Sequence, residues 1–360
     1  MPIQPFAQHD HSVDTTRLRP GRAEQFTEAL PGLGASLLLA LVAGGLGHFA
    51  PVVGAPVIAV VCGVVVSALR PPMDSLRPGL AVSSRGVLQG SVVVLGTGLS
   101  FREVVATGAG SLPVMLGTLA VGLIGAAVIG RALSVERDLR TLIGVGTGIC
   151  GASAIAATDA VIGAEEVDVS YSIATIFTFN VIAVLTFPSI GRALHLSPHA
   201  FGLWAGTAVN DMSSVVAASS IFGHGALSTA VVVKLTRTLM IVPITMGLAL
   251  WRTRRSGTAD ARVDHRSVPA HIRAVVPGFV IWFLLAVTVN SLGLIPGCWH
   301  RWLIDLAQGM ITMALAGIGL STRARDIRRA GWRPLALGGF LWILVAGSSL
   351  GLQSAMGAVR

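Results

Sequence analysis

Long apolar stretches, separated by short segments rich in arginine, glycine or proline, fill most of this 360-residue chain. Most are long enough to cross a hydrocarbon layer of about 30 Å as an α-helix. The pattern predicts an all-α membrane protein with about eleven transmembrane helices, at 33–50, 52–69, 86–99, 108–133, 139–164, 169–194, 198–222, 226–251, 274–294, 302–320 and 332–352. Only Pro51 separates the first two stretches and the third is short, so a count of ten stays open.

Composition supports a membrane protein over a soluble one. Charged residues make up 12% of the chain and hydrophobic residues 53%, whereas a soluble domain carries about 25% charged residues. The 43 glycines suit membrane helices, where small residues let backbones pack closely. The net charge of +9 lies in short clusters between apolar stretches, so we expect no nucleic-acid binding. Three widely spaced cysteines predict neither a metal site nor a disulfide framework.

The arginines predict the orientation. With a cytoplasmic N-terminus, 21 arginines fall in inside segments and three fall outside, where residues 165–168 form an acidic loop. An excess of arginine and lysine marks cytoplasmic loops, and adding or removing one span in the middle would destroy it. We therefore expect the N-terminus inside and the C-terminus outside.

The same assignment divides the chain into four parts. These are a cytoplasmic tail at 1–31, eight helices over 32–251, an Arg-rich cytoplasmic linker at 252–273 and three helices over 274–360. The simplest interpretation of the linker is a solvated loop without a binding role.

Two stretches of the chain resemble each other at a constant offset of 221 residues. Gly96-Thr-Gly-Leu-Ser100 matches Gly317-Ile-Gly-Leu-Ser321, and a Gly-x-x-Pro follows each. Because Ser100 is predicted outside and Ser321 inside, the copies run in opposite directions. Inverted repeats of this kind are typical of secondary transporters, although chance similarity in a Gly/Leu-rich chain is the alternative.

Glycines interrupt the fifth predicted span. Four of the eight residues from Gly144 to Gly151 are glycine, which predicts a helix break tolerated only inside protein or beside a cavity. Freed N–H groups favour an anion, freed carbonyls a cation, and close helix packing is the structural alternative. The candidate substrate contacts here are Gly146, Thr147, Gly148, Cys150, Gly151 and Ser153.

Polar residues also occupy the seventh and eighth predicted spans. Asn210, Asp211, Ser213 and Ser214 lie in the seventh, and an aspartate at that depth costs about 2.5–3.5 kcal/mol. Lys234 is the only lysine, and Arg237 lies one turn further along the same face. We expect Asp211 to neutralise one cation and Asp159 part of the other, leaving surplus positive charge for an anion. A wholly structural ion-pair network is the alternative.

Two motifs carry a resemblance to a known family. Gly146-Thr-Gly-Ile-Cys-Gly-Ala-Ser-Ala-Ile-Ala-Ala157 and Trp204-Ala-Gly-Thr-Ala-Val-Asn-Asp-Met-Ser-Ser-Val-Val-Ala-Ala218 resemble the YeiH family of bacterial inner-membrane proteins, which carries the label of sulfate exporters. The similarity runs from about residue 31 to the last span. It implies a fold related to sodium/proton antiporters and bile-acid symporters, with inverted repeats and interrupted helices at a central site.

These observations lead us to expect a secondary transporter that moves a small anion, such as sulfate or an organosulfonate, by alternating access. The broken fifth span, Asn210, Ser213, Ser214, Lys234 and Arg237 would bind the anion, and Asp211 and Asp159 would couple transport to protons or sodium. We expect no enzyme activity, cofactor or metal, and a homodimer stays open. The alternatives are a monovalent cation/proton antiporter and a non-transporting membrane sensor or scaffold.

Overall fold

The computed structural model describes residues 22–49, 55–70, 72–240, 244, 278–321 and 332–357, and within these ranges it is helical, with no strand. The helices are α1 Arg22–Phe49, α2 Ala55–Leu69, α3 Arg77–Ala81, α4 Leu88–Gly96, α5 Phe101–Ala132, α6 Arg137–Gly148, α7 Ala152–Ile162, α8 Glu166–Ala193, α9 Pro198–Ala208, α10 Met212–Phe222, α11 His224–Thr238, α12 Gly278–Ser291, α13 Gly297–Ser321 and α14 Trp332–Ala355. A turn of 3-10 helix precedes α3, and a π-helical turn joins α3 to α4. The predicted linker at 252–273 lies outside the described residues, as do residues 1–21 of the predicted tail.

Six helical segments in the described part of the chain are long and apolar enough to cross a membrane. They are Thr27–Gly47, Asp74–Gly96, Phe101–Ala132, Glu166–Ala193, Gly297–Ser321 and Trp332–Ala355, and four shorter apolar helices accompany them. Large apolar side chains such as Leu38, Ile281 and Ile343 point outward and are more than 60% exposed. In water this surface would promote aggregation, but in a bilayer it contacts lipid tails. The protein is therefore a multi-pass α-helical membrane protein, as its hydropathy predicts.

The segment predicted as the fifth span, 139–164, is a hairpin that returns to the end it starts from. Leu142 of α6 shares a buried cluster with Ile155 and Ile162 of α7, and Val169 near the start of α8 packs against it. Tyr171, also near the start of α8, packs on the cluster that contains Leu139. The chain therefore reverses at the turn 149–151, between α6 and α7, and the prediction of a span here is wrong.

The segment predicted as the seventh span, 198–222, is a second hairpin. The rings of Phe201 in α9 and Phe222 at the end of α10 stack with centroids 3.9 Å apart. Arg192, at the end of α8, donates to the carbonyl of Ile221 at 2.6 Å. A continuous helix would separate residues 201 and 222 by about 30 Å, so this span prediction is also wrong.

The two hairpins enter the fold from opposite ends. The 28-residue helix α8 joins the base of the first hairpin to the base of the second. Because each hairpin returns to its own end, later helices keep the directions predicted for them. The acidic loop 165–168 moves to the end predicted as inside, and Arg192 moves to the opposite end. The count of eleven spans is wrong at these two segments.

The hairpins also reveal an inverted repeat with an offset of 60 residues. Helices α6 and α9 end at residues 148 and 208, α7 and α10 begin at 152 and 212, and they end at 162 and 222. A Gly-Thr pair (Gly146-Thr147, Gly206-Thr207) precedes each turn. The 221-residue repeat shows opposite directions too, because Gly90 of α4 faces Met310 of α13 while Ser83 donates to the Met313 carbonyl at 3.0 Å.

Thiol labelling tests the first hairpin. In a variant with the native cysteines replaced by serine, Glu136→Cys and Glu165→Cys should react with a membrane-impermeant maleimide from the same side of the membrane. Leu194→Cys, at the far end of α8, should react only from the opposite side. Labelling of positions 136 and 165 from opposite sides would restore the interpretation of 139–164 as a span.

Candidate functional site

The tips of the two hairpins meet inside the protein. The first tip is Ile149-Cys150-Gly151, in which Gly151 has φ +69° and ψ −126°, a conformation that favours glycine. The second tip is Val209-Asn210-Asp211. A Cβ built on Gly151 would lie 3.6 Å from the carbonyl oxygen of Asn210. The predicted break in the glycine-rich segment is therefore present, and it lies against its counterpart in the other hairpin.

Lys234 of α11 joins the two tips. Its Nζ donates to the carbonyl of Ile149 at 2.9 Å and to the carbonyl of Val209 at 2.7 Å. The side chain is 1% exposed. The last carbonyls of a helix have no partner within the helix, so one ammonium group satisfies a free carbonyl in each hairpin.

Arg237, one turn further along α11, does the same with its guanidinium. Its Nε donates to the Gly148 carbonyl at 2.7 Å and Nη2 to the Thr147 carbonyl at 3.1 Å. Its Nη1 donates to the Thr207 carbonyl in the second hairpin. Arg237 is 0% exposed, and its acceptors among the described residues are all backbone carbonyls.

The predicted carboxylate partners do not pair with these cations. Asp211 lies near enough to Lys234 to act on it electrostatically, but it caps the start of α10 by accepting from the Ser214 N–H at 2.9 Å. The hydroxyls of Ser213 and Ser214 also donate to it. No carboxylate of the described residues forms an ion pair with Lys234 or Arg237. The expected ion pair of Asp211 with one of the two cations is therefore absent from the described residues.

Asp159 lies away from the tips. Its carboxylate accepts from the Ala164 N–H at 3.0 Å, which ties down the loop after α7. Residue 159 lies about 10 Å along α7 from the first residue of that helix. Asp159 therefore belongs to the base of the first hairpin and takes no part in the contacts of Arg237.

The charges at the tips do not cancel. The C-termini of α6 and α9 contribute about −0.5 elementary charge each, and the N-termini of α7 and α10 about +0.5 each. These four helix ends offset one another, while Lys234 and Arg237 outnumber Asp211 by one. With Lys234 protonated, the described residues at the meeting point of the tips carry a surplus of about one positive charge.

Asn180 is a polar residue of this region that the sequence analysis missed. Its Oδ1 accepts from the Asn210 N–H at 3.1 Å, which fixes the orientation of the Asn180 amide. The Asn180 Nδ2, the Asn210 Oδ1 and the Thr147 hydroxyl are buried and find no hydrogen-bond partner among the described residues. An unpaired buried polar group costs about 1–3 kcal/mol. Asn180 is the only amide side chain in α8, and that was the available signal.

The remaining predicted residues lie around the tips. Cys150 is buried in the first tip, and Ser153 is exposed in the first turn of α7. Gly146 lies where a Cβ would be 3.0 Å from Ile155 of the returning helix, so a glycine there lets α6 and α7 pack closely. The predicted substrate-contact residues thus lie near the tips, whereas Asp159 lies at the base of the first hairpin.

Substitution of Asp211 tests its capping role. Asp211→Ala should lower the free energy of unfolding by about 1–2 kcal/mol, because the start of α10 loses its cap, whereas Asp211→Asn should cost only a few tenths since asparagine caps equally well. Denaturant titration in detergent micelles measures both. Asp74→Ala, at an exposed ion pair, is the control and should change stability by less than about 0.5 kcal/mol. Equal losses in the two Asp211 variants would contradict the capping role.

Comparison with known proteins assigns the chain to a family. A family profile described as "Conserved hypothetical protein 698" matches residues 31–338. A UPF0324 membrane protein of Streptococcus pneumoniae serotype 4 is 40% identical over 334 residues, which cover 91% of this chain and 97% of the relative. Similar proteins of Streptococcus pyogenes serotype M3 and Streptococcus agalactiae serotype V are 39% and 36% identical, covering 91% and 92% of this chain and 97% and 99% of the relatives. The chain therefore belongs to the conserved hypothetical protein 698 family of UPF0324 membrane proteins, the YeiH family that its two motifs resemble.

Proposed function

We propose that this protein is a secondary active transporter that moves a small anion, of the sulfate or organosulfonate class, across the bacterial inner membrane. The observation that carries this proposal is the pair of buried cations, Lys234 and Arg237, which hold the two hairpin tips together without an ion-pair partner in the described residues. A surplus positive charge at that depth is costly. An anion bound beside it would offset the cost.

The hairpins supply the geometry for alternating access. Each one enters from its own end and stops where it meets the other. Inverted repeats give a transporter two related conformations, one open to each side. The 60-residue inverted repeat described above supports such an exchange.

The cargo contacts follow from the chemistry of the tips. Gly151 gives the start of α7 no side-chain cap, so the N–H groups of Ala152 and Ser153 are available to an oxyanion. Ser153 lies in the same turn, and Asn210 is at the opposite tip. Lys234 and Arg237 supply the charge. In this proposal Asp211 binds the coupling proton or sodium ion, because it is the ionisable acid nearest to the tips.

A monovalent cation/proton antiporter is the competing function, with Asn210 and Asp211 as the cation site. The partly exposed Asp211 carboxylate favours it. Three donors from Ser213 and Ser214 already contact that carboxylate, and the surplus charge beside it is positive. Both facts favour an anion over a cation.

Flux measurements in proteoliposomes test the proposal. The protein should exchange labelled sulfate or methanesulfonate across the membrane, and Lys234→Met should reduce the flux at least about tenfold, because one lost charge contact is worth more than about 1.4 kcal/mol. The control is Thr236→Val on the same helix, whose hydroxyl bonds only to the Val232 carbonyl and whose loss should leave the flux unchanged.

The outcomes separate the three functions. A cooperative thermal unfolding transition shows that each variant is folded. Arg237→Lys keeps the positive charge while it removes the guanidinium contacts, so it is a second test of the buried cations. Exchange of protons for sodium without anion flux would replace the proposal with the antiporter. A Lys234→Met protein with unaltered phenotype and no flux of any ion would indicate a sensor or scaffold.

A further inference from the structure

One peptide group of the second tip is hydrogen-bonded on both sides. The Val209 carbonyl accepts from the Lys234 Nζ at 2.7 Å. The N–H of Asn210 belongs to the same peptide group and donates to the Asn180 Oδ1 at 3.1 Å. The carbonyl and the N–H of a trans peptide group point in opposite directions. Lys234 of α11 and Asn180 of α8 therefore hold this peptide group from opposite sides.

The Asn180 amide has a donor atom without a partner. The residue is 1% exposed, and its Nδ2 finds no hydrogen-bond acceptor among the described residues. Only the oxygen of an amide accepts hydrogen bonds, so the Asn210 N–H fixes the orientation of the group and turns Nδ2 away from that N–H. A buried donor without an acceptor is unfavourable. Nδ2 is therefore suited to an acceptor that the described residues do not supply.

The unpaired Nδ2 lies near the start of α7. A Cβ built on Gly151, in the first tip, would lie 3.3 Å from the Cγ2 of Ile176 and 3.6 Å from the Asn210 carbonyl oxygen. Asn180 follows Ile176 by four residues, which is about 6 Å along α8 on the same face. This face of α8 thus packs against both tips, and it places the Asn180 amide beside the uncapped start of α7.

We propose that the Asn180 Nδ2 donates to an oxygen of the transported oxyanion, so that Asn180 is a cargo-binding residue. This inference rests on the proposed function and adds α8 to its site. A sulfate or sulfonate group accepts hydrogen bonds and donates none, which matches an unpaired amide donor. A cation would face the positive end of the N–H bonds, so the same donor disfavours a cation.

Lys234 strengthens this donor without contacting it. With Lys234 protonated, its ammonium group polarises the peptide group between Val209 and Asn210, and that peptide group polarises the Asn180 amide. Consecutive hydrogen bonds strengthen one another in this way, and more so away from water. A hydrogen bond to an ionised group is also about twice as strong as one between neutral groups. Removal of the Asn180 amide is therefore expected to weaken anion binding at least about tenfold, the equivalent of about 1.4 kcal/mol.

Nuclear magnetic resonance tests the contact directly. The asparagines of the chain are Asn180, Asn210 and Asn290, so selective isotope labelling of asparagine in the full-length protein gives one side-chain amide signal pair for each. Asn180→Ala identifies the signals of Asn180, which should shift downfield when methanesulfonate is added, because the Nδ2 gains an acceptor. Asn290 is the internal control and should not shift, since its Nδ2 already donates to the Leu99 carbonyl at 3.2 Å.

Transport kinetics in proteoliposomes provide the second measurement. Asn180→Ala should raise the half-saturating concentration of methanesulfonate at least about tenfold. The control is Thr178→Val in the same helix, whose hydroxyl bonds to the Ala174 carbonyl of α8 at 2.8 Å, and this variant should keep the wild-type value. A purely structural Asn180 predicts a lower unfolding temperature for Asn180→Ala with an unchanged half-saturating concentration.

The possible failures are distinguishable. Transport of methanesulfonate with unshifted Asn180 signals, or with an unchanged half-saturating concentration in Asn180→Ala, would overturn this inference and leave the proposed function intact. The absence of any anion flux, together with Asn180 signals that neither methanesulfonate nor sulfate shifts, would overturn both. If Asn180→Ala does not unfold cooperatively, the shift in the wild-type protein decides, and Asn180→Asp identifies the signals instead.

Discussion

Two helices that stop in the middle of a membrane leave carbonyl groups without partners, and the rest of this structure depends on how those groups are satisfied. An unpaired backbone polar group in hydrocarbon costs several kcal/mol. Lys234 and Arg237 satisfy the carbonyls of Thr147, Gly148 and Ile149 in one hairpin and of Thr207 and Val209 in the other. A buried cation is equally costly alone. The hairpin carbonyls therefore need the buried cations as hydrogen-bond donors, and the cations need the carbonyls as acceptors.

The same contacts make the tips a site for function. Backbone carbonyls carry only partial charge, so they satisfy the hydrogen bonds of Lys234 and Arg237 without neutralising them. The two tips also differ. Asp211 and its serines close the start of α10, whereas α7 begins at Gly151 without a cap. Thr207 bonds to the Ser349 hydroxyl at 2.7 Å, while its counterpart Thr147 has no partner for its hydroxyl. An uncapped helix start and an unpaired hydroxyl leave the first tip better able to bind an anion.

The sequence correctly predicted the helix break at the glycines and the burial of Lys234 and Arg237, because composition and hydropathy indicate both. It did not predict that the chain reverses. Each hairpin consists of two helices of 11 or 12 residues, and together they have the length of one membrane span. Hydropathy is the same for a straight path and a folded one. The Gly-Thr pairs 60 residues apart carried the missing information, but they are too short to recognise without the structure. The predicted ion pair of Asp211 was wrong because an aspartate that directly precedes a helix caps that helix with its carboxylate.

The most direct test of this account is a cross-link between the two ends of the second hairpin. Phe201→Cys and Phe222→Cys are introduced together into a variant whose native cysteines are serine, and membranes are treated with a short bifunctional maleimide. The ring centroids are 3.9 Å apart, so we expect an efficient intramolecular cross-link. After proteolysis between the two positions, the cross-link keeps the two fragments joined. A straight helix would hold residues 201 and 222 about 30 Å apart. Failure to cross-link, with both single cysteines reactive, would contradict the hairpins and the site built on them.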